Sequence, residues 1–209
     1  AWQAGQETGH SIADILVGKV NPSGKLASTF PVNYKDAPSA SGFPGKVIGQ
    51  TQPQANKEPD MMAAFMRPQP AEVTYEEGIY TGYRYYTTFN VPVSFEFGFG
   101  LSYTTFEYSN LKLSSTKFGG KIKTTVEVKN TGKTDGKEVV QLYLSAPGKT
   151  LDKPVIELKG FKKTRLLKPG ESELLSFDIS GKDLASFNSP LSAWTAEKGV
   201  YTVKIGSSS

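Results

Sequence analysis

Residues 121–144, KIKTTVEVKNTGKTDGKEVVQLYL, decide the fold of this chain. Ile122, Thr124, Val126 and Val128 fall on alternate positions, the period of a half-buried strand, with Lys123 and Glu127 on the opposite face. Asn130-Thr131-Gly132 and Asp135-Gly136 supply the turn chemistry that ends such a run, and Glu138–Leu144 follows as its neighbour. The same grammar extends in both directions. Phe106–Leu113 alternates weakly upstream. Downstream come Glu157–Leu166, Ser172–Ile179 and Val200–Ile205, with Lys168-Pro169-Gly170 as a tight turn and Asp183–Phe187 as one helical turn at a crossover. About seven short strands at this spacing, with no cysteine pair, predict an immunoglobulin-like sandwich of the fibronectin type III kind. Trp194 reads as a core or edge packing residue rather than a ligand platform.

Immediately upstream lies the densest aromatic stretch, residues 75–106, YEEGIYTGYRYYTTFNVPVSFEFGFGLSYTTF. It holds six of the ten tyrosines, five phenylalanines and four glycines. Rings in this number dominate packing, while Gly78, Gly82, Gly98 and Gly100 allow turns and close approach. The stretch therefore predicts an extended strap packed between two bodies, with its glycines serving packing rather than ligand access. Arg84 is expected to pair with Glu76 or Glu77.

The first thirty residues read differently. Ile12, Ala13, Ile15, Leu16 and Val17 give a broad apolar helical face over Gln6–Val17, stopped by Gly18. Asn21-Pro22-Ser23-Gly24 is a turn, and Lys25–Phe30 alternates as a short strand closed by Pro31. One helix and one strand cannot bury a core alone, so this is expected to be the tail of an α/β layer. The start, AWQAGQETGHSIADILVGKV, falls in mid-pattern without an initiator methionine or signal-peptide core, which points to a piece of something longer. Residues 31–74 are rich in Pro, Gly, Gln, Asn and Ser and read as a long irregular connection. Met61, Met62, Phe65 and Met66 form an apolar knot within it, and a loop this long is either a mobile insertion or a border of a substrate cleft.

Composition narrows the chemistry. The chain has 209 residues, no cysteine and one histidine, with 37% hydrophobic and 21% charged residues. No disulfide, thiolate nucleophile or cysteine-built zinc site is available, and no apolar run reaches membrane-helix length. Residues 1–105 carry 7 basic and 9 acidic side chains, against 17 and 11 in residues 106–209. The excess lysines alternate with apolar residues, as in Lys121-Ile122-Lys123, which is the pattern of a solvated sheet face rather than of a nucleic-acid surface. Glu7 and His10 have the helical spacing of a ligand pair, but no second pair accompanies them.

Taken in order, AWQAGQETGHSIADILVGKVNPSGKLASTFP, YEEGIYTGYRYY, FEFGFGLSYTTFEY, VEVKNTGKTDGKEVVQLYL, LKPGESELLSFDIS and GVYTVKIGSSS resemble the C-terminal portion of glycoside hydrolase family 3. The likeness is greatest to three-domain β-glucosidases, with residues 39–72 the least matched. It implies a mostly β fold: a fibronectin type III-like sandwich preceded by the final helix and strand of an α/β/α sandwich and a long strap. The implied division is residues 1–30, 31–105 and 106–209. The implied partners are an N-terminal (β/α)8 barrel and the rest of the α/β/α sandwich, with a β-glucoside or oligosaccharide as substrate and room for a homodimer. Neither nucleic acid nor membrane is implied, and a periplasmic or secreted location is favoured over a cytoplasmic one.

Retaining hydrolysis needs two carboxylates about 5–5.5 Å apart, one nucleophile and one acid/base. The resemblance places both upstream of this chain, so no catalytic, cofactor-binding or metal residue is assigned. Adjacent Glu76 and Glu77 would point to opposite faces of an extended strap, and Glu7 and Asp14 lie two helical turns apart. The alternative is a non-catalytic fibronectin-like module that binds carbohydrate or a partner. Sugar preference is not written in these residues.

Overall fold

The computed structural model describes residues 5–48 and 70–209. Helix α1 spans Thr8–Leu16, inside the predicted Gln6–Val17. Gly18, at φ 75°, ends it in the left-handed conformation that helix stops favour. None of its residues is buried; Leu16 and Val17 are 76% and 75% exposed. Of the apolar face built by the sequence, Ile12, Ala13, Leu16 and Val17 stay exposed and Ile15 is half-buried. The strand predicted over Lys25–Phe30 shrinks to β1, Phe30–Pro31. Leu26 still bonds Phe99 and Gly98 through its N–H and C=O, each at 2.8 Å. Pairing ends there because the facing chain turns at Gly98, φ 85°.

Residues Tyr34–Asp36 form one 3₁₀ turn. Strand β2, Lys46–Val47, pairs antiparallel with β3, Ala71–Glu72. The knot of Met61, Met62, Phe65 and Met66 lies outside the described residues. The strap is not extended throughout. Gly82, at φ 55°, turns the chain into a second helix, α2, Tyr83–Thr88. On a helix the tyrosines that crowd the sequence are spaced to share faces. Tyr85 meets Phe89 at 5.2 Å between ring centroids, and Tyr86 becomes 6% exposed. Strand β4, Val93–Phe95, then pairs back on β1.

From Phe106 the predicted sandwich forms. Strands β5 (Phe106–Leu113), β6 (Lys121–Asn130) and β9 (Ser172–Ser180) make one antiparallel sheet, in the order β5-β6-β9. Strands β7 (Val139–Ser145), β8 (Glu157–Lys163) and β12 (Thr202–Gly206) make the other, in the order β12-β7-β8. Between β9 and β12 lie a one-turn helix α3, Gly181–Leu184, and a small hairpin of β10, Ser186–Asn188, and β11, Ala193–Thr195. The core is filled by Val126 and Val128 of β6, Val140, Leu142 and Leu144 of β7, Leu175, Phe177 and Ile179 of β9, and Leu184. Each such side chain contributes on the order of 1.5–3 kcal/mol on burial.

Strand β7 departs from alternation: Val140, Gln141, Leu142, Tyr143 and Leu144 are all buried. One face enters the sandwich core, and the other lies under the strap. Tyr83 packs on Tyr143 at 5.9 Å and on Phe97 at 4.8 Å between centroids. A Cβ on Gly98 would collide with the Gln141 amide, and one on Gly100 with the Gly24 carbonyl. The strap's packing glycines are these two. Gly78 and Gly82 meet nothing and are there for positive φ.

Candidate functional site

The strap, the first thirty residues and the segment just after the 3₁₀ turn line a cleft of about 460 Å³. Ala27–Thr29 forms one wall, Ala37–Ser39 another, and Glu77, Arg84 and Tyr86 the third. Arg84 does not pair with Glu76 or Glu77 as the sequence suggested. Once α2 forms, its guanidinium reaches across to β8, with Nη2 3.3 Å from Glu157 Oε1. Lys159 Nζ also contacts Glu157, at 3.2 Å. Arg84 Nε and Thr29 Oγ1, both on the cleft, are buried without a hydrogen-bond partner.

The phenols around the cleft are anchors. The Tyr83 hydroxyl accepts a bond from the Leu158 N–H at 2.9 Å. Burial raises the Tyr86 phenol above its ordinary pKa, with Asp36 adding to the effect. The Tyr80 hydroxyl donates to Asp152 at 2.5 Å, and this bond, aided by burial and the charge of Asp152, pushes its pKa up to about 12. The phenols of Tyr80 and Tyr86 hold protons rather than move them near neutral pH. One carboxylate, Glu77, lines the cleft. A lone carboxylate can accept from a hydroxyl, whereas retaining glycoside hydrolysis needs a pair.

The other residues weighed from the sequence scatter. Glu7 Oε2 lies 2.7 Å from His10 Nδ1 on the exposed face of α1, and Asp14 pairs with Lys19 at 3.0 Å. Trp194 is not in the core: it is 70% exposed and packs on Phe187 across the separate β10–β11 hairpin. Trp2 lies outside the described residues. Among the described residues no three His, Cys, Asp or Glu side chains cluster as metal ligands.

Less visible in the sequence is a clasp that ties the segments together. Asn21 Nδ2 donates to the Asp135 carbonyl at 2.9 Å, while Asn21 Oδ1 accepts from the Tyr103 N–H at 2.8 Å and from Ser102 Oγ at 3.0 Å. Lys25 Nζ sits 2.8 Å from Glu138 Oε1, which also accepts from the Tyr108 hydroxyl at 3.1 Å. Burial, reinforced by Glu138, raises the Tyr108 phenol. At the far end the Ser209 N–H bonds the Phe97 carbonyl at 2.9 Å and Gln141 Nε2 bonds the Ser207 carbonyl at 2.6 Å. In the sequence, Asn21 looked like turn chemistry and Lys25 like the outward face of a strand.

Residues 1–83 match the glycosyl hydrolase family 3 C-terminal domain, and residues 138–209 match a fibronectin type III-like domain. Thermostable beta-glucosidase B of Acetivibrio thermocellus is 40% identical over 211 residues, covering 100% of this chain and 25% of that protein. Among solved structures, beta-glucosidase 3B from Thermotoga neapolitana in complex with alpha-D-glucose superposes with a TM-score of 0.82 at 50% identity, covering 100% of this chain and 26% of that one. Beta-glucosidase from Kluyveromyces marxianus in complex with glucose gives 0.76 at 41% identity, covering 96% and 22%. The chain spans about a quarter of the length of such relatives. It belongs to glycosyl hydrolase family 3, of whose members it corresponds to the C-terminal portion.

Proposed function

We propose that this chain is part of a retaining, exo-acting β-glucosidase that releases terminal non-reducing β-D-glucosyl residues. In this reading the nucleophile and the acid/base belong to an upstream barrel and to the rest of an α/β/α sandwich. The chain's own share is structural. Residues 1–30 finish the sandwich, 31–105 strap it down, and 106–209 form the fibronectin-like domain, with residues 31–74 bordering the substrate. The observation that carries the reading is the end-to-end match to beta-glucosidases at 40–50% identity. The largely exposed apolar face of α1 supports it, since it fits a docking surface for a neighbouring layer.

The test is an assay on an aryl β-glucoside with the 209-residue chain alone and with the chain joined to its upstream portion. The joined protein is expected to turn over substrate and the chain alone to be silent. Comparable turnover by the chain alone would place the carboxylate pair within these residues and sink the proposal.

A further inference from the structure

The hairpin β10–β11 projects two large rings that neither the core nor the clasp uses. Phe187 and Trp194 face each other in register across it, with centroids 5.7 Å apart and ring planes at 66°. They are 51% and 70% exposed.

The chemistry of the surrounding residues selects an occupant. Residues 185–196, ASFNSPLSAWTA, contain no charged side chain, within a half of the chain that carries 17 basic and 11 acidic ones. An anionic polymer or a complementary charged protein face would be met by charge. Here the polar groups are hydroxyls and one amide. The Asn188 amide oxygen is taken by the Leu191 N–H at 3.2 Å, while its NH₂ has no partner among the described residues. Uncharged donors beside exposed rings suit a ligand with apolar C–H faces rimmed by hydroxyls, which is a sugar ring.

The hairpin is also tied down at its base. The Tyr201 hydroxyl bridges the Leu184 and Glu197 carbonyls at 3.2 and 3.0 Å. Glu197 in turn pairs with Lys153 at 2.6 Å, the two side chains being 9% and 3% exposed. A platform fixed in this way loses little entropy when a ligand stacks on it.

We propose that Phe187 and Trp194 form a stacking site for a neutral glucan chain, with a sugar ring on the indole, the Phe187 ring as its side wall and Asn188 donating to a hydroxyl. A β-linked glucan as the preferred ligand rests on the function proposed above; the site itself does not.

Affinity electrophoresis of the 209-residue chain through gels containing a soluble neutral β-glucan or soluble starch tests the site. Retardation by a glucan is expected, weakened about tenfold or more in Trp194→Ala and in Phe187→Ala. The chain has two tryptophans, so Trp2→Phe leaves Trp194 as the sole indole, whose emission is read by exciting at a wavelength the tyrosines do not absorb. Its emission should shift on saturation with the glucan, a readout that does not depend on the folding of the alanine variants. Retardation by starch alone would keep the stacking site and count against the β-glucosidase reading. Absence of retardation by either polymer overturns the proposal, as does retardation untouched in Trp194→Ala with a silent indole. Self-association abolished by Trp194→Ala, with no response to glucan, would make this face a contact between copies of the chain and overturn it as well.

Discussion

Lys25 and Glu138 place an ammonium and a carboxylate oxygen 2.8 Å apart, with the side chains only 14% and 8% exposed. They join the N-terminal segment to the end of the β6–β7 connection, beside the Asn21 clasp. Removing one partner of such a buried pair leaves the other charged and desolvated. Lys25→Met is therefore expected to cost about 3–5 kcal/mol. Lys25→Met with Glu138→Gln should recover part of that loss, because the amide still accepts from Tyr108. Urea midpoints of the wild type, both single variants and the double variant measure the coupling. Strictly additive midpoints would show that the pair does not join the two segments.

How much of this was legible in the sequence depends on the range of the interaction. The sandwich was readable because alternation at Ile122, Thr124, Val126 and Val128 follows from local burial on one face. The double burial of β7 was not, since it depends on the strap covering Gln141 and Tyr143 from residues far earlier in the chain. Likewise Arg84 was assigned a near neighbour, but α2 turns it toward Glu157. Trp194 carried a ring that usually goes inside, and nothing local says it sits on a two-stranded hairpin with one open face.

Asn130 illustrates the same limit and gives a second prediction. Its Asn-Thr-Gly context reads as a turn, yet it ends β6 fully buried. Its Nδ2 donates to the Thr134 and Leu167 carbonyls at 2.9 and 2.8 Å, and its Oδ1 accepts from Thr104 Oγ1 at 2.6 Å and the Gly132 N–H at 3.1 Å. Asn130→Ala strands these partners away from water and should cost about 3 kcal/mol. Asn130→Asp should cost at least as much, since it sets a buried carboxylate against two carbonyls. A guanidinium midpoint for Asn130→Ala indistinguishable from the wild type would mean that water replaces the side chain.

Two strap glycines separate backbone freedom from close packing. Gly78 and Gly98 both have positive φ, 55° and 85°. Alanine at either position is expected to cost about 1–2 kcal/mol for the left-handed backbone. Only at Gly98 does the new Cβ strike the buried Gln141 amide, adding about 1–3 kcal/mol of overpacking. Thermal unfolding should therefore rank Gly98→Ala clearly below Gly78→Ala. Equal melting temperatures would remove the claim that the strap lies tight on β7.

Glu197 sets a pH dependence whose sign is fixed. The hydrogen bond from Lys153, followed by that from Thr150, lowers its pKa from 4.5 to about 2. The depressed folded-state value means that the ionised form is favoured by folding. Its contribution is complete above the unfolded-state pKa of 4.5 and disappears as pH falls toward 2. Thermal unfolding of the wild type should weaken across that window. Glu197→Gln should be less stable than the wild type at neutral pH, and the gap should close on acidification. Asp178, held low by Lys121, and Glu171, held low by the Lys168 backbone N–H and Arg165, titrate in both proteins and so cancel in the comparison. A gap that stays constant from pH 7 to pH 2 would show that Glu197 acts through its shape and not its charge.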